Sequence, residues 1–168
     1  VGILLPPGFV PAQPAAERLE LQTLTTKVGR YEKVEFRIRG LGSYTNPFDP
    51  AQVDARIEVI APEGRRASIP AFQAQEYERR RIQGRDWIYP ASVPVWKARF
   101  APMTTGRFEA AVVAKDMHGE RRSPSLSFEC IPSGAPGFLR VSRRDPRFLE
   151  FSDGQPFFAI GQNLAFIG

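Results

Sequence analysis

The sequence predicts an all-β fold, a sandwich of two antiparallel sheets, on three observations. Sixteen prolines and fourteen glycines in 168 residues leave few gaps long enough for an ordinary helix and many that fit a strand of about 5–6 residues. Within those gaps, apolar side chains recur at every second position. Turn signals separate the runs at intervals of about 8–12 residues, the spacing of sandwich strands. A chain that is 42% hydrophobic and 24% charged has the composition of a soluble globular domain and not of a disordered one.

The elements follow in order. Residues 1–17 are rich in Pro and Ala without periodicity and read as an extended linker or the remnant of a trimmed leader. From Arg18 to Lys27, Leu19, Leu21 and, less cleanly, Leu24 mark an opening strand. Residues 31–39 alternate most clearly, with Val34, Phe36 and Ile38 inward and Glu35, Arg37 and Arg39 outward. The loop of residues 43–50 contains Pro47 and Pro50, which exclude a continuous ladder. Val53, Ala55, Ile57 and Val59 restore the period up to the Pro62-Glu63-Gly64 turn, and a further strand runs from Ala67 to Phe72. Residues 77–85 are polar without an apolar stripe and read as a loop or an edge extension. In Val95-Trp96-Lys97-Ala98-Arg99-Phe100, Trp96, Ala98 and Phe100 face the core and Lys97 and Arg99 face outward. A strand from Gly106 to Ala114 turns at residues 116–119 onto a partner from Ser123 to Ile131. Residues 132–137 are a boundary by composition, so the sandwich occupies residues 18–132.

Residues 133–168 hold a linker and the start of a second unit. Two apolar runs flank Ser152-Asp153-Gly154-Gln155-Pro156, the pattern of a hairpin. Its second arm, Phe157 to Ile160, is apolar on both faces and belongs inside something larger. The expectation is that a further domain covers it.

Composition removes several functions. The net charge is +5, but the basic residues are interspersed with acidic ones. The main cluster, Arg79-Arg80-Arg81 with Arg85, has no interleaved aromatic residues, so no nucleic-acid partner is expected. No run is long enough to span a membrane. Cys130 is the one cysteine, so no internal disulfide forms. It alternates with Leu126 and Phe128, which predicts a buried, inert thiol. His118 has no second His or Cys beside it for a zinc set. No cofactor is implied.

Laid in order, certain motifs are similar to those of a known family. They are Asn46-Pro47-Phe48-Asp49-Pro50 with Val53-Asp54-Ala55, Pro70-Ala71-Phe72 with Glu76-Tyr77, and Trp96-Lys97-Ala98-Arg99-Phe100-Ala101-Pro102 leading to Gly106-Arg107-Phe108. They resemble an immunoglobulin-like N-terminal domain of unknown function that precedes (β/α)8 glycoside hydrolase, cellulase-like, catalytic domains in secreted bacterial proteins. Gly137-Phe138-Leu139-Arg140-Val141-Ser142 and the run from Asp153 to Asn163 resemble the entry into such a barrel, a hairpin followed by its first strand. The resemblance implies an immunoglobulin-like sandwich followed by the opening hairpin of a truncated (β/α)8 barrel. It implies a secreted, periplasmic or cell-surface location, and a role as a non-catalytic accessory module packed on its own barrel through Phe138, Phe148, Phe151, Phe157 and Phe158.

Glycoside hydrolysis needs two carboxylates about 5–9.5 Å apart across a sugar, and in barrels these come from later strand ends. The chain is therefore expected to have no hydrolase activity of its own. Three candidate sites stay open. Tyr77, Trp87 and Tyr89 offer either an aromatic face for a polysaccharide or packing lids over the sandwich end. Asn163 either lines the parent's cleft or braces a loop. Asn46, Asp49 and Asp54 supply three oxygen donors, either for calcium or for Asx turns. Glu76, Glu78 and Asp86 read as solvated loop charges. A carbohydrate-binding module and a cell-surface interaction domain are the alternative functions.

Overall fold

A computed structural model of the protein describes residues 17–162; Asn163 and nearly all of the proposed leader lie outside the described residues. Among those described there are fifteen strands and no helix. The first sheet contains β1 (Glu20–Thr23), β3 (Val34–Arg39), β9 (Val95–Phe100) and β6 (Phe72–Ala74), ordered β1-β3-β9-β6 and antiparallel throughout. The second contains β2 (Lys27–Gly29), β12 (Leu126–Ile131), β10 (Gly106–Asp116), β4 (Val53–Ile60) and β5 (Arg66–Pro70), in that order. Its β2–β12 pair is parallel, where the sequence predicts only antiparallel pairs.

Period-two alternation converts directly into burial. Val34, Phe36 and Ile38 of β3 and Val53, Ala55, Ile57 and Val59 of β4 all point inward and are buried. The two inner faces meet at aromatic contacts: Phe36 of the first sheet packs edge-on to Phe128 of the second, with centroids 5.8 Å apart, and Phe100 sits 5.9 Å from Phe108. Phe108 and Phe128 are stacked at 5.2 Å. Each such side chain withdrawn from water contributes about 1.5–3 kcal/mol.

Three departures from the expected strands have local causes. The opening strand is two strands, because the chain crosses from the first sheet to the second at Leu24, which is 83% exposed. The strand expected over residues 67–72 also divides. Pro70, without an N–H, ends the edge strand β5, the Ala71 N–H donates to the Ala55 carbonyl at 2.8 Å, and Phe72 joins the other sheet. The partner of β10 is broken into β11 (Gly119–Arg122) and β12: Arg122 lies opposite Val113 but Leu126 opposite Ala110, an offset of one residue that defines a bulge around Pro124. There the Val112 N–H donates to the buried Ser123 hydroxyl at 3.0 Å.

Residues 77–85, expected as a loop or edge extension, instead begin a hairpin of β7 (Tyr77–Ile82) and β8 (Arg85–Pro90). Gln83 and Gly84 between them have φ of 51° and 79°, the paired left-handed geometry of a type I′ turn.

The last unit is a three-stranded sheet, β13 (Leu139–Val141), β14 (Leu149–Phe151) and β15 (Pro156–Phe157). The expected hairpin turn is present: the Phe151 N–H donates to the Gln155 carbonyl at 2.8 Å, with Gly154 at φ 90°. Its second arm is shorter than expected. Only Pro156 and Phe157 pair, and Ile160 beyond them is 97% exposed. No barrel strand is formed among the described residues. The sheet meets the sandwich at Tyr31: an added Cβ on Gly137 would fall 3.3 Å from its ring, and the Phe138 ring packs edge-on to it at 5.7 Å.

Candidate functional site

The register of the β7–β8 hairpin decides which of its side chains act together. Glu78 lies opposite Tyr89, Arg80 opposite Trp87 and Ile82 opposite Arg85, so these six share one face. Tyr77 pairs with Pro90 and stands on the other face. The structure thus brings Trp87 and Tyr89 together and separates Tyr77 from them, correcting the expected three-ring cluster. Nothing from the sandwich covers either face: every residue of β8 is exposed, Trp87 at 50%. Ile82, Gln83, Arg85, Trp87 and Tyr89 line a shallow cleft. The Arg80 guanidinium lies 5.4 Å from the Tyr89 ring centroid and also pairs with Glu78. On the far face Arg79 pairs with Asp86 at 2.6 Å.

The hairpin's base is fastened to the first sheet by a charge cluster. Lys97, on the face expected to point outward, is only 6% exposed; its Nζ lies 2.7 Å from Glu76 and 3.1 Å from Glu35. Arg99 adds a second cation to Glu35 at 2.9 Å, and Arg37 approaches Glu76 at 3.6 Å. The hydrogen bond from Arg99, reinforced by Lys97, holds the Glu35 carboxyl below the usual carboxylate range. Lys97 lowers Glu76 likewise, and Glu76 and then Glu35 raise the Lys97 ammonium. Both carboxylates are saturated by cations and stay ionised at neutral pH. Glu76, Glu78 and Asp86 are each partnered by a specific cation and are not free loop charges.

The oxygen donors at residues 46–54 do not converge. Asn46 Oδ1 accepts from the Phe48 N–H at 3.0 Å and Asp49 Oδ1 from the Ala51 N–H at 2.9 Å, which are Asx turns. Asp54 turns to Arg56. Among the described residues no three His, Cys, Asp or Glu side chains form a metal-holding group. Nearby, the Tyr44 hydroxyl donates to Asp116 at 2.7 Å and Arg121 reaches the same oxygen at 2.6 Å. Burial first, and then the hydrogen bond to Asp116 and its charge, push the Tyr44 hydroxyl up to about 12. Burial works against the Asp116 charge, but bonds from Tyr44, the His118 N–H and Arg121 outweigh it and hold this carboxyl low. Cys130 is buried and its thiol is raised by desolvation.

In the terminal sheet Leu139 pairs with Phe151, Val141 with Leu149 and Leu149 with Phe157. These five apolar residues therefore share one face, and Leu139, Val141 and Leu149 are open on it, Val141 at 57%. Of the expected interface residues, Phe151 and Phe157 pack on each other at 5.5 Å, Phe138 meets Tyr31, and Phe148 and Phe158 are exposed. The opposite face is polar and closed. Glu150 is buried, accepting from Arg140 at 3.0 Å and from the Ser142 hydroxyl at 2.7 Å.

The fold recurs in a larger protein. A "putative glycoside hydrolase" of Bacteroides vulgatus ATCC 8482 superposes on 80% of this chain with a TM-score of 0.54 and 15% sequence identity. The chain spans only 22% of that protein's length. At this identity the likeness shows the fold. No protein-family model and no curated protein matches the sequence.

Sequence reasoning missed three features, the third being the β7–β8 hairpin. The Glu35–Lys97–Glu76 cluster depends on β9 lying between β3 and β6, which no local pattern specifies. The bare face of the terminal sheet depends on the β13–β14 register. Gln83-Gly84, as a two-residue turn between polar runs, is the one signal that would have found the hairpin.

Proposed function

We propose that the chain is a non-catalytic accessory module of a secreted glycoside hydrolase: an immunoglobulin-like sandwich carrying the opening hairpin of a (β/α)8 barrel and packed against that barrel. The observation that carries this reading is the bare apolar face of Leu139, Val141 and Leu149, on a sheet whose other face carries the buried Glu150 with its partners Arg140 and Ser142. An apolar sheet face on a soluble protein marks a packing surface. The likeness to part of a larger protein named for glycoside hydrolysis supports the choice of partner. The two carboxylates of the charge cluster support the non-catalytic part of the reading, because hydrolysis needs an acid and a base free to flank a sugar. Glu35 and Glu76 are instead locked on Lys97.

The test extends the protein through the segment that follows Gly168 in its gene. Val141→Ser with Leu149→Ser is expected to lower the melting temperature of the following domain by several degrees while the sandwich transition stays in place. Chain 1–168 alone is expected to release no reducing sugar from any polysaccharide. Turnover by 1–168, or a following segment without a barrel, would overturn the reading.

A further inference from the structure

We propose that the open face of the β7–β8 hairpin binds an anionic saccharide, a pyranose ring lying on Trp87 and its carboxylate or sulfate group meeting Arg85. The choice of a saccharide over another flat anion rests on the accessory function proposed above. The rest comes from the hairpin itself. A half-exposed indole on a rigid strand offers a large apolar plane at little entropic cost, and the ring of Trp87 has no aromatic or cationic partner stacked on it among the described residues. Tyr89 beside it is fixed by Arg80. Gln83, at the rim of the same cleft, brings an amide with donors and an acceptor for hydroxyl groups.

Charge selects the ligand. Of the four arginines in the hairpin, Arg79 and Arg80 are bound to Asp86 and Glu78. Arg81 and Arg85 have no carboxylate partner among the described residues. Arg81 lies opposite Asp86 on the far face, which leaves Arg85 as the one uncommitted cation beside Trp87. A neutral sugar would leave that guanidinium unused. A single-stranded nucleic acid brings a phosphate with every nucleotide and requires a track of cations, which this face lacks. One ring and one free guanidinium fit a sugar unit with a single acidic group.

The test titrates the protein with oligogalacturonate, a sulfated galactan oligosaccharide, a cello-oligosaccharide and oligothymidylate, following tryptophan fluorescence. Trp87 and Trp96 are the only tryptophans and Trp96 is buried, so quenching reports the hairpin. One or both charged oligosaccharides are expected to bind. Trp87→Ala should abolish that binding in calorimetry, and Arg85→Gln should weaken it by at least about tenfold and flatten its salt dependence. Both positions are solvent-exposed, and circular dichroism confirms the fold of each variant. No saccharide binding, equal affinity for the neutral oligosaccharide, tighter binding of oligothymidylate, or an unaltered affinity in Arg85→Gln would each overturn the proposal. Failure here with coupling of Val141 and Leu149 to the following domain intact sinks the hairpin site alone.

Discussion

Strands β4 and β8 are both full partners in antiparallel ladders, yet every other residue of β4 is buried and none of β8 is. The backbone hydrogen bonding is equivalent; what lies above the pleat is not. β4 is held by the facing sheet, so a change in its neighbourhood propagates through close-packed atoms. β8 is held by β7, a turn and a charge cluster at its base, and a hairpin of two strands is marginal by itself. The difference assigns stability to one region and leaves the other free to carry recognition.

Removing a ring from between the sheets gives the largest expected effect. Phe108 is among the most deeply buried side chains and touches Phe100 and Phe128, so Phe108→Ala should cost about 3–5 kcal/mol in denaturant unfolding. A loss below about 1 kcal/mol would mean the sandwich core is loose enough to collapse around the gap, and the contrast with β8 would fail.

The next effect tests the join between the two regions. Lys97→Met leaves Glu76 without its nearest cation and Glu35 with Arg99 and the more distant Lys33, an expected loss of about 1–2 kcal/mol at neutral pH. Glu35 and Glu76 have lowered pKa values in the folded state. The unfolded chain therefore binds more protons once the pH falls into the ordinary carboxylate range. Their contribution is present above that range and is lost as pH drops through the folded values. The variant should accordingly approach the wild type in stability below about pH 4. A difference that stays constant as the pH is lowered well below that range would show that Lys97 matters through packing and not through its charge.

How much of this was legible follows from the same contrast. Strands β3, β4, β9 and β10 were readable because one face of each is buried, and burial is what writes period two into a sequence. Leu24, Pro70 and Pro124 mark sheet crossings and a bulge, which alternation alone cannot place. The hairpin left no periodic trace because both of its faces meet water; Arg79, Arg80 and Arg81 occupy successive positions on alternate faces without penalty. Trp87 and Tyr89 were visible as aromatic residues. The position of Tyr77 on the opposite face was not, since it depends on a turn formed by Gln83, a residue that seldom takes positive φ.

A smaller effect probes the core side at high pH. Tyr44→Phe removes a hydroxyl that donates to Asp116, an expected cost of about 1 kcal/mol near neutrality. The folded phenol holds its proton up to about 12, above its ordinary 10.0. Between those values the folded state binds the proton that the unfolded chain has lost, so the wild type's stability falls as pH rises through this window. The phenylalanine variant has no such loss, and the gap between the two should narrow from pH 10.0 to about 12. A gap independent of pH, measured by urea unfolding, would remove Asp116 as the cause.

The smallest global effect belongs to the hairpin turn. Gly84 has φ +79° and open space where a Cβ would stand, so Gly84→Ala meets no clash and suffers only the left-handed backbone penalty of about 1–2 kcal/mol. If β7 and β8 open independently, that penalty appears as exchange of their own amide protons, faster by about tenfold. Unfolding of the whole protein should shift by less than about 0.5 kcal/mol, and the amides of β4 should keep their protection. The opposite pattern, unchanged hairpin exchange with a global loss of the full penalty, would mean that the hairpin unfolds only with the core. Trp87 would then stand on a structural arm of the sandwich, and its exposure would no longer separate recognition from stability.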